Sequence, residues 1–239
     1  MLICVEGCLG VGKSTLVQRV TERIASASFY EEVAVNPFLR DFYRDASHYA
    51  LHAQYTFLLL QARRYQEALT YVGKDRTVTS AATAHPPLAS GSDTLAICDF
   101  HPFKSLIFSK VVLREEEREP LSQLYRLLKI PRPDLVVYLR ADEHTILARL
   151  RKRNDVYRTD IDFAYITQVC CAYDDFFRTY QGPQITIDTT HIDYVRHPQE
   201  LSILLQQVPL LFPTQKLPGQ SEYLGSAGTY RTEKEPRTP

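Results

Sequence analysis

LICVEGCLGVGKST, running from Leu2 to Thr15, is the stretch whose reading decides the fold. Leu2 to Val5 is apolar and reads as a buried strand, the middle is a glycine-rich turn, and the end opens a helix. The apolar face of that helix continues through Leu16, Val17, Val20 and Ile24. Inside the stretch lies G-x-x-x-x-G-K-S, with Gly7, Gly10, Gly12, Lys13 and Ser14 in register. Glycines let backbone N–H groups turn inward towards phosphate oxygens without a Cβ in the way, and the helix behind them adds the positive end of its dipole. Lys13 can reach the outer phosphates as a point charge, and the Ser14 hydroxyl is an oxygen ligand for Mg²⁺. Gly7, Gly10, Val11, Gly12, Lys13, Ser14 and Thr15 are therefore the candidate phosphate-binding residues.

Outward from this loop, strands and helices alternate. The first helix is expected over about 11–24, and a second strand from Phe29 to Val35 carries Glu31 and Glu32. Asn36-Pro37 punctuates the chain before a short helix in PFLRDFY. A long helix spans about 47–71, with Leu51, Tyr55, Leu58 and Ala62 on one side and Phe57, Leu60 and Leu69 on a neighbouring stripe. Residues 73–93, small and polar, read as a long loop insertion. The third strand is Thr94 to Phe100, followed by a helix from Lys104 to Leu113, a solvated charge run from Glu115 to Glu119, and a helix from Leu121 to Leu128. Leu135 to Leu139 is the fourth strand, Glu143 to Arg153 and Asp162 to Tyr180 are helices, and Gln184 to Asp188 is the fifth strand. A last helix lies near 198–207. Such alternation predicts an α/β fold with a five-stranded parallel sheet wrapped on both faces. The expected domain covers 1–212, and the Pro-, Gly- and Ser-rich tail over 213–239 is expected to be disordered.

The chain has 239 residues, enough for one such domain, and its 28 basic and 28 acidic residues cancel. A balanced charge excludes a bulk electrostatic nucleic-acid binder. No apolar run approaches the ~20 residues of a membrane span, so no membrane partner is expected. The N-terminus enters a core strand at once, so no signal peptide is expected. Cys4, Cys8, Cys98, Cys170 and Cys171 form no C-x-x-C pair and are expected as reduced thiols in a cytoplasmic protein.

Ligands of open α/β sheets lie beyond the carboxyl ends of the strands. That rule selects the phosphate loop, the acidic end of strand two, Asp99-Phe100-His101 after strand three, and the basic segment after strand four. Glu31 can act as a general base on an attacking hydroxyl, and Asp99 can hold Mg²⁺, a cation that wants oxygen ligands. Arg153, in the cluster Arg149, Arg151, Lys152 and Arg153, is a candidate for a closing lid over 149–160 that stabilises charge on a transferred group. His101 reads as a polar neighbour of the pocket and not as a metal ligand.

These residues resemble the bacterial deoxynucleoside kinases of the deoxyguanosine/deoxyadenosine kinase group, over about Leu2 to Gln207. VEGCLGVGKST resembles their phosphate loop. EEVAVNPFLRDFY resembles their catalytic glutamate followed by Asn-Pro-aromatic-Leu and a Phe-Tyr pair, and CDFHPFKSLIF their third-strand motif. PDLVVYL and the arginine-rich segment follow in order. The resemblance implies a three-layer P-loop kinase fold. It implies transfer of the γ-phosphoryl group of ATP, with Mg²⁺, to the 5′-hydroxyl of a deoxyribonucleoside, purine type favoured, in nucleoside salvage. Catalytic roles fall to Glu31, Lys13, Asp99 and Arg153, and metal contacts to Ser14 and Asp99. Tyr43, eleven residues before Gln54, matches the spacing of a sugar 3′-hydroxyl contact and a base contact, and Arg63 lies further along that helix. A homodimer through helix packing is implied as well.

The lid departs from the family pattern Arg-Gly-Arg followed by Glu: Asp155 stands for the second arginine and Arg158 for the glutamate. Two rivals follow. A nucleoside monophosphate kinase such as a thymidylate kinase would add arginines near strand three, where this chain has Asp99, His101 and Lys104. A catalytically weak nucleotide-binding paralogue would explain the altered lid.

Overall fold

In chain order the described elements are β1 (Leu2–Gly7), α1 (Lys13–Thr21), β2 (Ala27–Phe29), α2 (Leu39–Arg44), α3 (Ala46–Tyr71), β3 (Ala96–Cys98), α4 (Lys104–Val112), α5 (Glu115–Leu127), β4 (Leu135–Arg140), α6 (Glu143–Arg153), α7 (Phe163–Thr179) and β5 (Gln184–Asp188). They come from a computed structural model that describes residues 1–73, 94–153, 163–194, 196–197 and 199–202. β1 is buried along its whole length, as a strand covered on both faces must be. It pairs in parallel with β3 on one side and β4 on the other, giving a five-stranded sheet in the order β2-β3-β1-β4-β5. The chain completes β2 and β3 on one side of β1 before crossing to β4. The carboxyl ends of β1, β3 and β4 therefore meet where the connections change direction, the usual place for a ligand.

Alternation along the strands assigns the faces. Ile3, Val5, Val137 and Leu139 bury Leu16, Val17 and Val20 of α1 on one side. Leu2 and Cys4 meet Tyr65, Ala68 and Leu69 of α3 on the other, where Val136 and Tyr138 meet Ile107 of α4 and Val169, Tyr173 and Phe177 of α7. The sheet is thus a middle layer between two layers of helices. Among the described residues no helix is long and apolar enough to cross a membrane.

Several elements differ from expectation. The second strand ends at Phe29 and does not run on to Val35. Glu31 N–H donates to Asp99 Oδ1 at 2.8 Å, so a side chain takes the N–H that a longer strand would give to its neighbour. Val33–Val35 form a short 3₁₀ turn instead, with Val35 56% exposed. The third strand is the shorter Ala96–Cys98. The charge run and the helix after it are one helix, α5. Three glutamates sit at the positive end of its dipole and the Glu117 carboxylate accepts from the Arg114 N–H at 2.9 Å, so the single N–H that Pro120 lacks does not end it. The loop over 74–93, the lid over 154–160, residues 203–207 and the tail over 213–239 lie outside the described residues.

Candidate active site

The loop after β1 turns on glycines. Gly7 has φ +146°, and a Cβ there would lie 2.3 Å from the Leu139 carbonyl oxygen of β4. Gly12, with φ +108°, caps α1, and a Cβ there would lie 2.2 Å from the Tyr194 hydroxyl, which donates to the Gly12 carbonyl at 2.8 Å. Lys13 Nζ donates to the Gly7 and Cys8 carbonyls at 2.7 and 3.0 Å, so the loop is wrapped around its own cation. Desolvation there, helped by the Lys104 charge, pushes the Lys13 pKa down to about 8. A bound anion favours the charged form again.

Asp99, just past β3, ties two segments together. Its Oδ2 accepts from Ser14 Oγ at 2.5 Å and its Oδ1 from Glu31 N–H. Glu31 is held in turn. Its Oε1 accepts from Gln61 Nε2 at 2.6 Å and its Oε2 from Lys104 Nζ at 2.5 Å, while Gln61 Oε1 accepts from Ser105 Oγ at 2.8 Å. Burial alone would raise the Glu31 pKa. The Lys104 charge and the bonds from Lys104 and Gln61 outweigh it and hold the carboxyl below its ordinary 4.5. Lys104 shows the reverse balance: burial opposes its charge, and Glu31, Glu6 and Asp99 raise its pKa nonetheless.

Beneath the loop, Glu6 is fully buried. It accepts from His101 N–H at 2.5 Å, Tyr173 Oη at 3.1 Å and Gly7 N–H at 3.3 Å. Burial pushes its pKa up to about 7. His101 is a core residue. Its Nδ1 accepts from Phe103 N–H, which leaves Nε2–H to donate to the Pro131 carbonyl, and burial drives its pKa down to about 3.

Two concavities meet at Glu31. A cleft of about 1020 Å³ is lined by the loop from Gly10 to Thr15 and by Asp99, Lys104 and Arg149. A narrower inner pocket is lined by Tyr43, Gln54, Phe57, Gln61, Phe108 and Tyr165. Leu9, Glu31, Val33, Leu39 and Lys104 belong to both. Gln54 is 4% exposed, and its amide has no hydrogen-bond partner among the described residues.

The structure therefore brings Lys13, Ser14, Glu31, Tyr43, Gln54 and Asp99 around one continuous space. Arg63 does not join them: its side chain is 80% exposed and faces Glu67 across 3.8 Å. Nine residues after Gln54, it is half a turn out of phase on α3. Gln61, seven residues after Gln54, returns to the same face, and that spacing was the signal that could have found it. Glu6, Ser105 and Tyr194 carried no comparable signal. Arg149 is a clamp in this structure, donating to the carbonyls of Thr189 at 2.7 Å, Ile192 at 3.0 Å and Val11 at 3.3 Å. Arg153 is the last residue of α6, and its side chain lies outside the described part.

A family model described as deoxynucleoside kinase matches residues 3–211. The chain belongs to the deoxynucleoside kinase family. It is an ATP-dependent phosphotransferase acting on a deoxynucleoside. The chain is 25% identical to deoxyguanosine kinase of Bacillus subtilis over 195 residues, covering 80% of this chain and 86% of that one. It is 24% identical to deoxyadenosine/deoxycytidine kinase of the same organism, covering 87% and 91%. A solved structure of deoxyadenosine kinase from M. mycoides, with the products dCMP and a flexible dCDP, superposes with a TM-score of 0.71 at 19% identity. The match covers 88% of this chain and 100% of that one, and it establishes the shared three-layer fold.

Proposed function

We propose that this kinase moves the γ-phosphoryl group of ATP onto the 5′-hydroxyl of a purine deoxyribonucleoside in nucleoside salvage, with Glu31 as general base. The observation that carries this reading is the position of the Glu31 carboxylate, shared by the phosphate-loop cleft and the inner pocket. A donor phosphate in the first and a nucleoside in the second would meet there. Glu31 takes the hydroxyl proton as the oxygen attacks the γ-phosphorus, and ADP leaves. Lys13 holds the outer phosphates, and the loop amides from Gly7 to Thr15 cradle them. Arg153 stands at the end of α6, on the segment read as a lid.

The donor set fits Mg²⁺. Ser14 Oγ and Asp99 Oδ2 are adjacent hard oxygens at the mouth of the loop, and Mg²⁺ takes one or two protein ligands with phosphates and water for the rest. When bound there it neutralises charge on the donor phosphates. In the inner pocket, Tyr43 is assigned to the sugar 3′-hydroxyl. Phe57 and Phe108 supply apolar walls for a base, whose edge meets the unpartnered Gln54 amide. Relatives named deoxyguanosine and deoxyadenosine kinases favour a purine. A homodimer through α3 fits the 50% exposed Leu59 on that helix.

The test is ADP release with each deoxynucleoside, run on the wild type and on Glu31→Gln. The variant is expected to bind nucleoside in calorimetry with turnover reduced at least about 10²-fold. Unchanged turnover removes Glu31 as the base.

A further inference from the structure

The five cysteines are free thiols, and four of them meet in pairs. Cys4 and Cys98 stand opposite each other on β1 and β3, fully buried under α3, where no oxidant reaches them. The second pair is placed differently. Cys8 belongs to the phosphate loop and is buried in the cluster that holds Phe103, Ile107 and Val169. Cys170 of α7 packs against the same cluster and keeps part of its surface in solvent. Its thiol donates a hydrogen bond to the Cys8 sulfur. That bond, helped by the Lys13 charge, outweighs burial and holds the Cys8 thiol below its ordinary 9.0, while the same bond raises Cys170. Thiolate character, which makes a sulfur nucleophilic, is thus favoured on the loop residue, and its partner opens the pair to solvent.

We propose that Cys8 and Cys170 form a reversible oxidation site, joined by hydrogen peroxide into a disulfide that disables the phosphate loop. The Cys8 sulfur attacks one peroxide oxygen, the O–O bond breaks, and the departing hydroxide takes the Cys8 proton to become water. The Cys170 sulfur then displaces the remaining hydroxyl from Cys8, and that hydroxyl leaves with the Cys170 proton as a second water. Two electrons pass from the thiols to the peroxide, and a dithiol reductant returns them by exchange. The new bond draws loop and helix together. α7 is held fast, since Val169 is buried and Tyr173, also buried, donates to Glu6. The loop therefore yields, turning as it does on Gly7, Gly10 and Gly12. The Cys8 carbonyl accepts from Lys13 Nζ at 3.0 Å, so a displaced Cys8 disturbs the phosphate-binding lysine directly.

Peptide mapping of the full chain after treatment with excess hydrogen peroxide, its remaining thiols alkylated on unfolding, tests this. The expected product is one peptide pair joined through Cys8 and Cys170, with Cys4 and Cys98 still open to alkylation. The oxidised protein should release ADP with kcat/KM for ATP lowered about 10²-fold, the cost of a misplaced loop, and dithiothreitol should restore it. Calorimetric titration with ATP should weaken and recover in parallel. Cys171→Ser should respond as the wild type does, whereas Cys170→Ser should keep its turnover through the same treatment. Absence of the Cys8–Cys170 peptide would overturn the proposal. So would undiminished turnover in the cross-linked protein, or an equal loss in Cys170→Ser. The mapping and the ATP titration need no acceptor, so they stand apart from the general-base reading, whose failure shows as undiminished turnover in Glu31→Gln.

Discussion

Glu6→Gln turns the buried carboxyl under the phosphate loop into a measurable quantity. Glu6 is fully buried and its pKa is raised from 4.5 to about 7, with desolvation as the leading cause and Lys104 and Lys13 opposing it. Between pH 4.5 and 7 the native state therefore binds a proton that the unfolded state has released. Stability contributed by this group is complete below pH 4.5, falls as pH rises through 7, and is absent above that. The span from 4.5 to about 7 corresponds to about 3 kcal/mol. Glutamine imitates the protonated form: its carbonyl accepts from His101 N–H and its amide donates to Tyr173 Oη, at the loss of the long 3.3 Å bond from Gly7 N–H. The variant should match the wild type near pH 5 and exceed it by about 3 kcal/mol at pH 8, roughly 6–12 °C in Tm. Paired thermal melts across this range, read as the difference between the two proteins, check it. A difference independent of pH would show that Glu6 does not titrate in this window. A less stable variant at pH 8 would show that the folded protein uses the ionised carboxylate, and the desolvation argument would be wrong.

Arg149→Met is expected to act on stability first, because the guanidinium ties Val11, Thr189 and Ile192 carbonyls together. A loss of about 3 kcal/mol, or about 6–12 °C in Tm, follows from several charged hydrogen bonds. A fall in kcat at unchanged Tm would instead make Arg149 a lid residue. Gln54→Leu should raise the nucleoside KM at least about tenfold, since the base edge proposed to meet this amide loses its partner. The same change should leave Tm nearly level, since the amide lines the pocket and holds no hydrogen bond among the described residues. A marked fall in Tm would mean that the amide is satisfied within the protein.

The five strands, their parallel arrangement and the phosphate loop were legible because each depends on consecutive residues: an apolar run, a glycine spacing, a helix face. The same logic misread Phe29 to Val35 as one strand, since V-A-V alternates well. What ends β2 is a carboxylate 68 positions later in the chain, taking the Glu31 N–H. Arg63 was misplaced because proximity along a helix was read without its phase, whereas Gln61 returns to the Gln54 face.

Sequence alone determined that Lys13 and Ser14 follow a glycine turn at the head of a helix, the arrangement from which a phosphate site is expected. It did not determine what surrounds Glu31. The Gln61, Lys104 and Asp99 contacts come from α3, α4 and the end of β3, which the strand order β2-β3-β1 brings together. Glu6 is likewise an ordinary carboxylate in the sequence and becomes a shifted one only under α7, where Tyr173 closes over it. The division has a physical cause: backbone torsions are set by near neighbours along the chain, while the charge state of a side chain is set by whatever the packed fold places against it.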